Sequence, residues 1–242
     1  MSEENTPDSK RPPIREERKL SPMRRTIANR LQESAQNAPH VTVSREMDAE
    51  ALFTAKNTLE EQSEQDISLV DVLLGIFSET LSEHPEFNAT FEENIHRSYE
   101  SQHIAVAVDT EMGLVTPVIR SVETLSIPEI AAERRRLVEL VQEREHTMSD
   151  LQGSTVTVTN LGVFGTDSFT PVINPPEVAI FGINRIRERA IPADDGVAFR
   201  RQIGIDLTFD HRPVDGADAA RVLETFERKL TNADSFLDAP GE

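Results

Sequence analysis

Residues 210–216 read DHRPVDG, and they connect a strand pattern to a helix pattern near the end of this 242-residue chain. Before them, residues 199–210 (FRRQIGIDLTFD) largely alternate between polar and apolar side chains, as a half-buried strand does. After them, residues 217–230 (ADAARVLETFERKL) carry apolar side chains at helical spacing. The sequence therefore predicts a strand, a turn and a helix, and such supported turns are where proteins often present functional side chains.

Two side chains of this turn are candidates for chemistry. His211 can act as a general base near neutral pH. Asp215 is well placed to cap the helix that follows. An interpretation without chemistry also fits, in which His211 is a satisfied turn residue and Gly216 only relieves the turn. The turn by itself leaves both interpretations open.

A second candidate lies in residues 157–162, which read TVTNLG and follow a strand pattern. In a strand, Thr157 and Thr159 point to one face of the sheet and Val158 to the other. A threonine hydroxyl near a strand end can donate a hydrogen bond to an oxyanion. More often it bonds only to neighbouring backbone, and the motif alone favours that second interpretation.

The rest of the chain supplies helix start and stop signals. Ser21 precedes a proline and predicts the start of a first helix, which Pro39 ends. Asp48 and Ser68 can cap a second and a third helix. The third, residues 69–81, is apolar nearly all round, which predicts burial between layers. Ser126 with a glutamate three residues later forms the pattern of a capping box.

The order of these elements predicts the fold class. Residues 87–119 predict two or three strands, broken at residues 111–113. Strands and helices are mixed without strict alternation, which favours an α+β fold with a mixed β-sheet and helices packed on one side. Residues 1–20 are polar, charged and proline-containing, and we expect a disordered tail there. Residues 21–242 are expected to form one domain.

Composition excludes several classes of function. The net charge of −18 argues against nucleic acid as a partner, since phosphate contacts need an excess of Lys and Arg. With no cysteine, the chain has neither disulfides nor thiol nucleophiles. The six histidines show no ligand spacing, so no metal site is expected. No segment is apolar and long enough to span a membrane. We expect a cytoplasmic protein.

The charged residues are also unevenly chosen. Lysine occurs only at positions 10, 19, 56 and 229, whereas there are 21 arginines and 43 acidic residues. Such a surface stays soluble when salt screens its self-repulsion, which favours a protein from a salt-adapted (halophilic) organism. The alternative is an acidic protein whose lysines are scarce because of a GC-rich genome.

Taken together and in order, these motifs resemble the catalytic domain of the dihydrolipoamide acyltransferase (E2) family of 2-oxo acid dehydrogenase complexes. The similarity extends from about residue 21 to residue 230. It is carried by the first helix and strand (RRTIANRLQESAQNAPHVTVSREMD), a central strand pair (HIAVAVDTEMGLVTPVI), the strand and loop beginning STVTVTNLGVFG, and DHRPVDGADAARVL. The relationship includes chloramphenicol acetyltransferase and implies its two-layer sandwich fold.

The resemblance also implies a mechanism. Coenzyme A and an acyl-dihydrolipoyl group would enter a channel from opposite ends, and no metal would be needed. His211 would accept the thiol proton, Thr159 would donate to the tetrahedral oxygen, and Asp215 would organise the histidine loop. In the family the channel lies between subunits of a homotrimer, so the histidine and the hydroxyl come from different chains.

Departures from the family pattern change which partners and which assembly are expected. No lipoyl domain or subunit-binding domain precedes residue 21, so we expect the lipoyl group in trans, from a lipoyl-bearing domain or free dihydrolipoamide. The E1 and E3 components of such complexes are further candidate partners. The polar end, NADSFLDAPGE, differs from the apolar tail that docks trimers into cages, and predicts a trimer that does not readily form a 24-mer or 60-mer. Ser154 replaces a common glycine, a change expected to be neutral.

The coenzyme A contacts are not assigned by the sequence. Arg24, Arg25 and Arg30 lie on the first helix, where a solvated face or pairing within the helix is the favoured interpretation. Two alternative functions stay open. One is a coenzyme A-dependent acetyltransferase acting on a small hydroxyl compound, and the other is a non-catalytic scaffold of the same fold.

Overall fold

Five α-helices run through the part of the chain that the computed structural model describes, residues 12–63, 65–110, 113–193 and 196–233. They are α1 (Pro22–Asn37), α2 (Glu50–Ser63), α3 (Leu69–Glu83), α4 (Ile127–Gln142) and α5 (Gly216–Thr231). Helices and strands do not alternate strictly along the chain, as the sequence predicts, since α2 and α3 follow each other directly.

Polar caps start these helices where the sequence predicts them. Ser21 and Ser68 are the N-caps of α1 and α3, and each side chain accepts a backbone N–H of the first turn. At α4 the backbone N–H and hydroxyl of Ser126 donate to the Glu129 carboxylate at 2.8 and 2.7 Å, completing the capping box. Asp48 accepts the first backbone N–H of α2 at 2.8 Å. Local side-chain chemistry therefore fixes the helix starts.

The strands form one mixed sheet and two small hairpins. The strands are β1 (His40–Asp48), β2 (Ala89–Glu92), β3 (Ile95–Ser98), β4 (Ile104–Val106), β5 (Val108–Thr110), β6 (Gly113–Val115), β7 (Val118–Ile119), β8 (Val156–Asn160), β9 (Ala179–Ala193) and β10 (Gly196–Asp210). The main sheet has the order β1-β10-β9-β8-β4-β7. β8 is parallel to both β4 and β9, whereas β10 is antiparallel to β9 and to β1. The predicted α+β fold with a mixed sheet is confirmed.

The main core lies between one face of this sheet and helices α2 to α5. Phe77 of α3 lies at its centre, with ring centroids 4.6 Å from those of both Phe181 on β9 and Phe226 on α5. Alternate residues of β10, Ile203 and Ile205 among them, are fully buried in the same cluster. Helix α1 is the exception to this layer, because it contacts the 161–178 segment instead.

The region from 87 to 119 is divided more finely than the sequence suggests. It contains six short strands, β2 to β7, and not two or three. One reason is the turn at Glu93 and Asn94, whose φ values of 52° and 60° reverse the chain between β2 and β3. The predicted break at residues 111–113 falls between β5 and β6, but residues 111 and 112 lie outside the described part.

The other face of the sheet is covered in part by the 161–178 segment. The ring of Phe169 lies over Gly182, where a Cβ would be 2.8 Å from the ring, so only glycine allows this contact. Beyond it, β9 and β10 form a longer hairpin than the predicted buried strand 178–183. Its outer half is exposed, with Val197 and Phe199 67% and 73% accessible.

The described residues before α1 add no secondary structure. Residues 12–20 are exposed and form neither helix nor strand. The remainder of the predicted tail, residues 1–11, and the polar end from 234 to 242 lie outside the described residues. Within the described part, no helix is long and apolar enough to cross a membrane.

Candidate active site

The turn that carries His211 is held by its neighbours. Arg212 forms a salt bridge with the buried carboxylate of Asp210, and its Nε lies 2.9 and 3.0 Å from the two carboxylate oxygens. The same guanidinium lies 4.7 Å from the centroid of the Phe91 ring. The backbone N–H of His211 donates to the Pro39 carbonyl at 3.0 Å. These contacts hold the turn on both sides of His211, and none of them uses the imidazole.

The imidazole is accessible and faces a carboxylate. The side chain of His211 is 42% exposed in the single chain, and its Nδ1 lies 3.6 Å from Oδ1 of Asp215. That separation is longer than a hydrogen bond and short enough for electrostatic orientation. Asp215 is also the N-cap residue of α5, as predicted, and its backbone N–H donates to Asp218 at 3.1 Å. A carboxylate at Nδ1 favours a proton there and leaves Nε2 as the basic nitrogen.

The two threonines of β8 have different surroundings. Thr157 is buried, and its hydroxyl donates to a carboxylate oxygen of Glu177 at 2.6 Å. Thr159, two residues on and on the same face, is half-buried, and its hydroxyl has no hydrogen-bond partner within the described part. Asn160 accepts the Gly162 N–H at 2.9 Å and so shapes the loop that follows. Thr159 is thus the hydroxyl that stays available for a substrate.

The single chain does not bring Thr159 and His211 together. Thr159 of β8 pairs with Gly182 of β9, and Gly182 pairs with Asp206 of β10. Two strand spacings therefore separate β8 from β10. His211 lies five residues further along the chain than Asp206. With strands about 4.8 Å apart and a rise of about 3.3 Å per residue, the two sites are on the order of 19 Å apart. A direct hydrogen-bonded dyad within one chain is excluded by this spacing.

A buried carboxylate beside this strand is not identified by the sequence. Glu177 is 3% exposed and accepts hydrogen bonds from Ser154 at 2.5 Å, Thr157 at 2.6 Å and Asn174 at 2.9 Å. Burial raises its pKa to about 7, against the opposing effect of these donors and of the Arg30 charge. The serine at 154 therefore donates to a buried acid, and the expectation that its replacement of glycine is neutral stays a prediction.

Replacing Glu177 with glutamine is expected to change the pH dependence of stability. The pKa of Glu177 is about 7 in the folded protein and 4.5 ordinarily. Its contribution to the free energy of unfolding therefore falls as pH rises between those two values, and is level above them. Glutamine does not titrate. The variant should therefore gain up to about 3 kcal/mol on wild type between pH 4.5 and pH 7.5.

Urea unfolding of both proteins at pH 5 and pH 8, in the same salt, measures this difference. The exposed Glu61→Gln variant serves as the matched control, because its carboxyl is on the outer surface of α2. If Glu177→Gln and wild type change in parallel across this pH range, the carboxyl does not retain its proton as described.

A second buried acid lies on the polar face of β10. Asp206 is fully buried and accepts from Ser44 at 2.5 Å, from the Phe169 N–H at 2.8 Å and from Asn184 at 2.9 Å. It links β1, β9 and the 161–178 segment on the face that carries Thr159. An aspartate within an otherwise apolar strand pattern, IGIDLTF, is the signal that could have identified it.

The arginines of α1 do not assemble into an anion site. Arg30 donates to the Pro175 carbonyl at 3.2 Å, so it fastens the helix to the loop, a role the sequence did not predict. Arg24 and Arg25 are exposed. In the described ranges, no group of three or more His, Asp or Glu side chains is arranged to hold a metal ion.

The architecture of the sheet and helices matches a known fold. A mixed six-stranded sheet covered by helices on one face is the architecture of chloramphenicol acetyltransferase, whose structure matches 84% of this chain and 94% of its own with a TM-score of 0.53. At 14% sequence identity, this match shows the fold alone.

The family follows from closer matches. Residues 12–237 match the model of the 2-oxoacid dehydrogenases acyltransferase (catalytic domain) family, and the chain belongs to this family. Dihydrolipoyllysine-residue acetyltransferase component of the pyruvate dehydrogenase complex from Rickettsia bellii is 34% identical over 93% of this chain and 54% of its own length. The chain therefore spans about half the length of this curated relative.

A solved relative is similar in both sequence and structure. Dihydrolipoamide acetyltransferase from Azotobacter vinelandii has a TM-score of 0.87 and 29% identity, and the match covers 93% of this chain and 98% of that one. Its structure was determined to investigate the role of a serine, a histidine and an asparagine in the catalytic mechanism.

Proposed function

We propose that this chain is an acyltransferase domain that moves an acyl group between dihydrolipoyl groups and coenzyme A. The spacing of three residues carries the proposal. Thr159, His211 and Asp215 lie 52 and 4 positions apart, as do the serine, histidine and asparagine of the Azotobacter enzyme. The hydroxyl is retained as threonine. The asparagine is replaced by an aspartate, which adds a negative charge next to the imidazole.

The chemistry follows from the available groups. A thiol with an ordinary pKa near 8.5 is mostly protonated at neutral pH, so a base is needed to make it a nucleophile. Nε2 of His211 takes the thiol proton of coenzyme A, and the thiolate attacks the thioester carbonyl. The hydroxyl of Thr159 donates to the tetrahedral oxyanion. When the intermediate collapses, the dihydrolipoyl sulfur leaves and recovers a proton from the imidazolium.

A site made by two copies of the chain reconciles this chemistry with the separation of the groups. About 19 Å separates Thr159 from His211 in one chain, which supports a site that takes its hydroxyl from a neighbouring copy. Exposed apolar surface on Leu31 of α1 and on Val197 and Phe199 of the β9–β10 hairpin favours such an assembly. We therefore propose a homotrimer with active sites at the subunit boundaries.

The relatives suggest the substrate to test first. The Rickettsia protein is named as the acetyltransferase component of the pyruvate dehydrogenase complex, which favours acetyl as the acyl group. A lipoyl-bearing domain or free dihydrolipoamide is the proposed acyl carrier, with E1 and E3 components as further partners. The cytoplasmic location expected from the sequence stays part of the same proposal.

A panel of acyl-CoA compounds with dihydrolipoamide, assayed in high salt, tests the function. Formation of S-acetyldihydrolipoamide with release of free coenzyme A supports the proposal. Transfer only to alcohols such as chloramphenicol would assign the chain to small-molecule acetylation. Trimers that transfer no acyl group to either acceptor would indicate a scaffold.

We also propose that the acidic surface is an adaptation to salt. With a net charge of −18, self-repulsion opposes folding, and screening shortens the Debye length from about 10 Å at 0.1 M to about 3 Å at 1 M. We expect the thermal midpoint to rise by several degrees between dilute buffer and molar KCl. Sucrose at matched osmolality controls for solute exclusion. Equal midpoints in dilute buffer and in KCl would rule out the adaptation.

A further inference from the structure

His40, the first residue of β1, uses both nitrogens of its ring. The backbone N–H of Ile173 donates to Nε2 at 3.0 Å, and Nδ1 lies 2.7 Å from the Ala38 carbonyl oxygen. An amide N–H can only donate, so Nε2 is the unprotonated nitrogen and Nδ1 carries the proton. The neutral imidazole therefore bridges the end of α1 and the 161–178 segment.

The part of that segment that His40 contacts is also held by α1. Ile173 is 1% exposed, and its carbonyl accepts the hydroxyl of the buried Ser34 at 2.6 Å. Two residues further on, the Pro175 carbonyl accepts from Arg30 at 3.2 Å. Contacts that do not involve His40 thus present the backbone N–H of Ile173 to its imidazole.

The peptide next to His40 supports the turn that carries His211. Pro39 directly precedes His40, and its carbonyl accepts the backbone N–H of His211 at 3.0 Å. Because His40 pairs with Asp210 at the end of β10, this hydrogen bond joins the two strands where the turn begins. Pro39 is exposed and has no N–H of its own, so the residues beside it position its carbonyl. The contact of His40 with the 161–178 segment therefore holds one side of the turn.

We propose that His40 is a positioning residue for the imidazole of His211. It acts through the Pro39 carbonyl and the backbone of His211, and not on the substrate. A displacement of about 1 Å can lower the rate of a catalysed step by about 10²-fold, so a support of this kind affects the chemical step. The inference rests on the proposed acyl transfer and adds a residue to it.

Two amide variants separate the two contacts of the ring. In His40→Gln, the carboxamide oxygen can take the position of Nε2 and accept from Ile173. In His40→Asn, the shorter amide can donate to the Ala38 carbonyl in place of Nδ1, but it does not reach Ile173. We expect His40→Asn to lower kcat for acetyl transfer about tenfold with unchanged KM, and His40→Gln to stay within about twofold of wild type. His96→Asn, in the β2–β3 hairpin, is the matched control and should leave kcat unchanged.

Combining His40→Asn with His211→Ala distinguishes positioning from a general loss of structure. If His40 acts only through the imidazole of His211, the double variant should transfer acetyl groups no more slowly than His211→Ala alone. A purely structural role would instead lower the activity by the same factor in both backgrounds. That second result would overturn the proposal.

Hydrogen exchange of the His211 backbone amide gives a readout that needs no activity. His40→Asn should raise the exchange rate of this amide about tenfold, and His40→Gln should leave it near the wild-type rate. If wild type transfers acetyl groups and His40→Asn matches it in kcat and in exchange, the positioning role is lost and the proposed function stands. If wild type transfers none, the proposed function fails, and the exchange rates alone then decide whether His40 holds the turn.

Discussion

His211→Ala is expected to lower kcat for acetyl transfer between acetyl-CoA and dihydrolipoamide by about 10³-fold, within the range of about 10²–10⁴ for the loss of a general base. Neither of the two polar side chains next to it in the described structure is placed to replace it. Asp215 lies on its Nδ1 side, and Arg212 is held by the Asp210 carboxylate. The variant should bind coenzyme A normally, since the imidazole acts on the thiol proton and not on the remainder of the substrate.

The fold should survive this change. The backbone N–H of His211 and the Arg212–Asp210 contact hold the turn, and neither needs the imidazole. Sedimentation of the variant should therefore match wild type. His96→Ala is the matched control, because that histidine lies in the β2–β3 hairpin, away from the proposed site, where its Nε2 is 3.0 Å from the Glu86 carbonyl. The smallest loss expected on removing a general base is about 10²-fold. If His211→Ala keeps more than about a tenth of the activity, the loss is smaller than that, and the imidazole is not the base.

Much of the fold could be predicted because its signals are local. Serine caps before α1, α3 and α4 set the helix starts through contacts three residues apart. The strand, turn and helix around DHRPVDG follow from a change of hydrophobic period within residues 199–230. The finer division of residues 87–119 depends on positive φ at Glu93 and Asn94. Asn favours that conformation but Glu does not, and without a glycine beside them the pair predicts a hairpin only weakly.

The buried acids were missed for the opposite reason. Glu177 obtains its donors from Ser154, Thr157 and Asn174, and Asp206 obtains its own from three different parts of the chain. Such partners meet only when strands pair, and sequence spacing does not indicate which ones meet. Thr159 and His211 show the limit most clearly. A resemblance indicates both residues, but within one chain the fold keeps them far apart.

Thr159→Ala is the matching change on the other side of the proposed site. It is expected to lower kcat by about 10²–10³-fold with little effect on KM, because the hydroxyl acts on an oxyanion that is absent from the ground state. Thr159→Ser keeps the donor and should retain most of the activity. A higher KM with unchanged kcat would instead indicate that Thr159 only contacts the substrate.

Mixing the two inactive variants tests the shared site directly. If each site takes its histidine from one copy and its hydroxyl from the next, co-refolded His211→Ala and Thr159→Ala chains form some sites with both groups. With random mixing of equal amounts, a site has both with a probability of about one quarter, so about a quarter of wild-type activity should return.

The recovered activity should depend on exchange of subunits. Mixing the two preformed trimers without unfolding them should restore nothing at first, and activity should rise only as chains exchange. A site contained in one chain gives no recovery under either protocol, since every chain then lacks one of its two groups. Because about 19 Å separates Thr159 from His211 in the single chain, recovery after co-refolding is the outcome we expect if both groups act in one site.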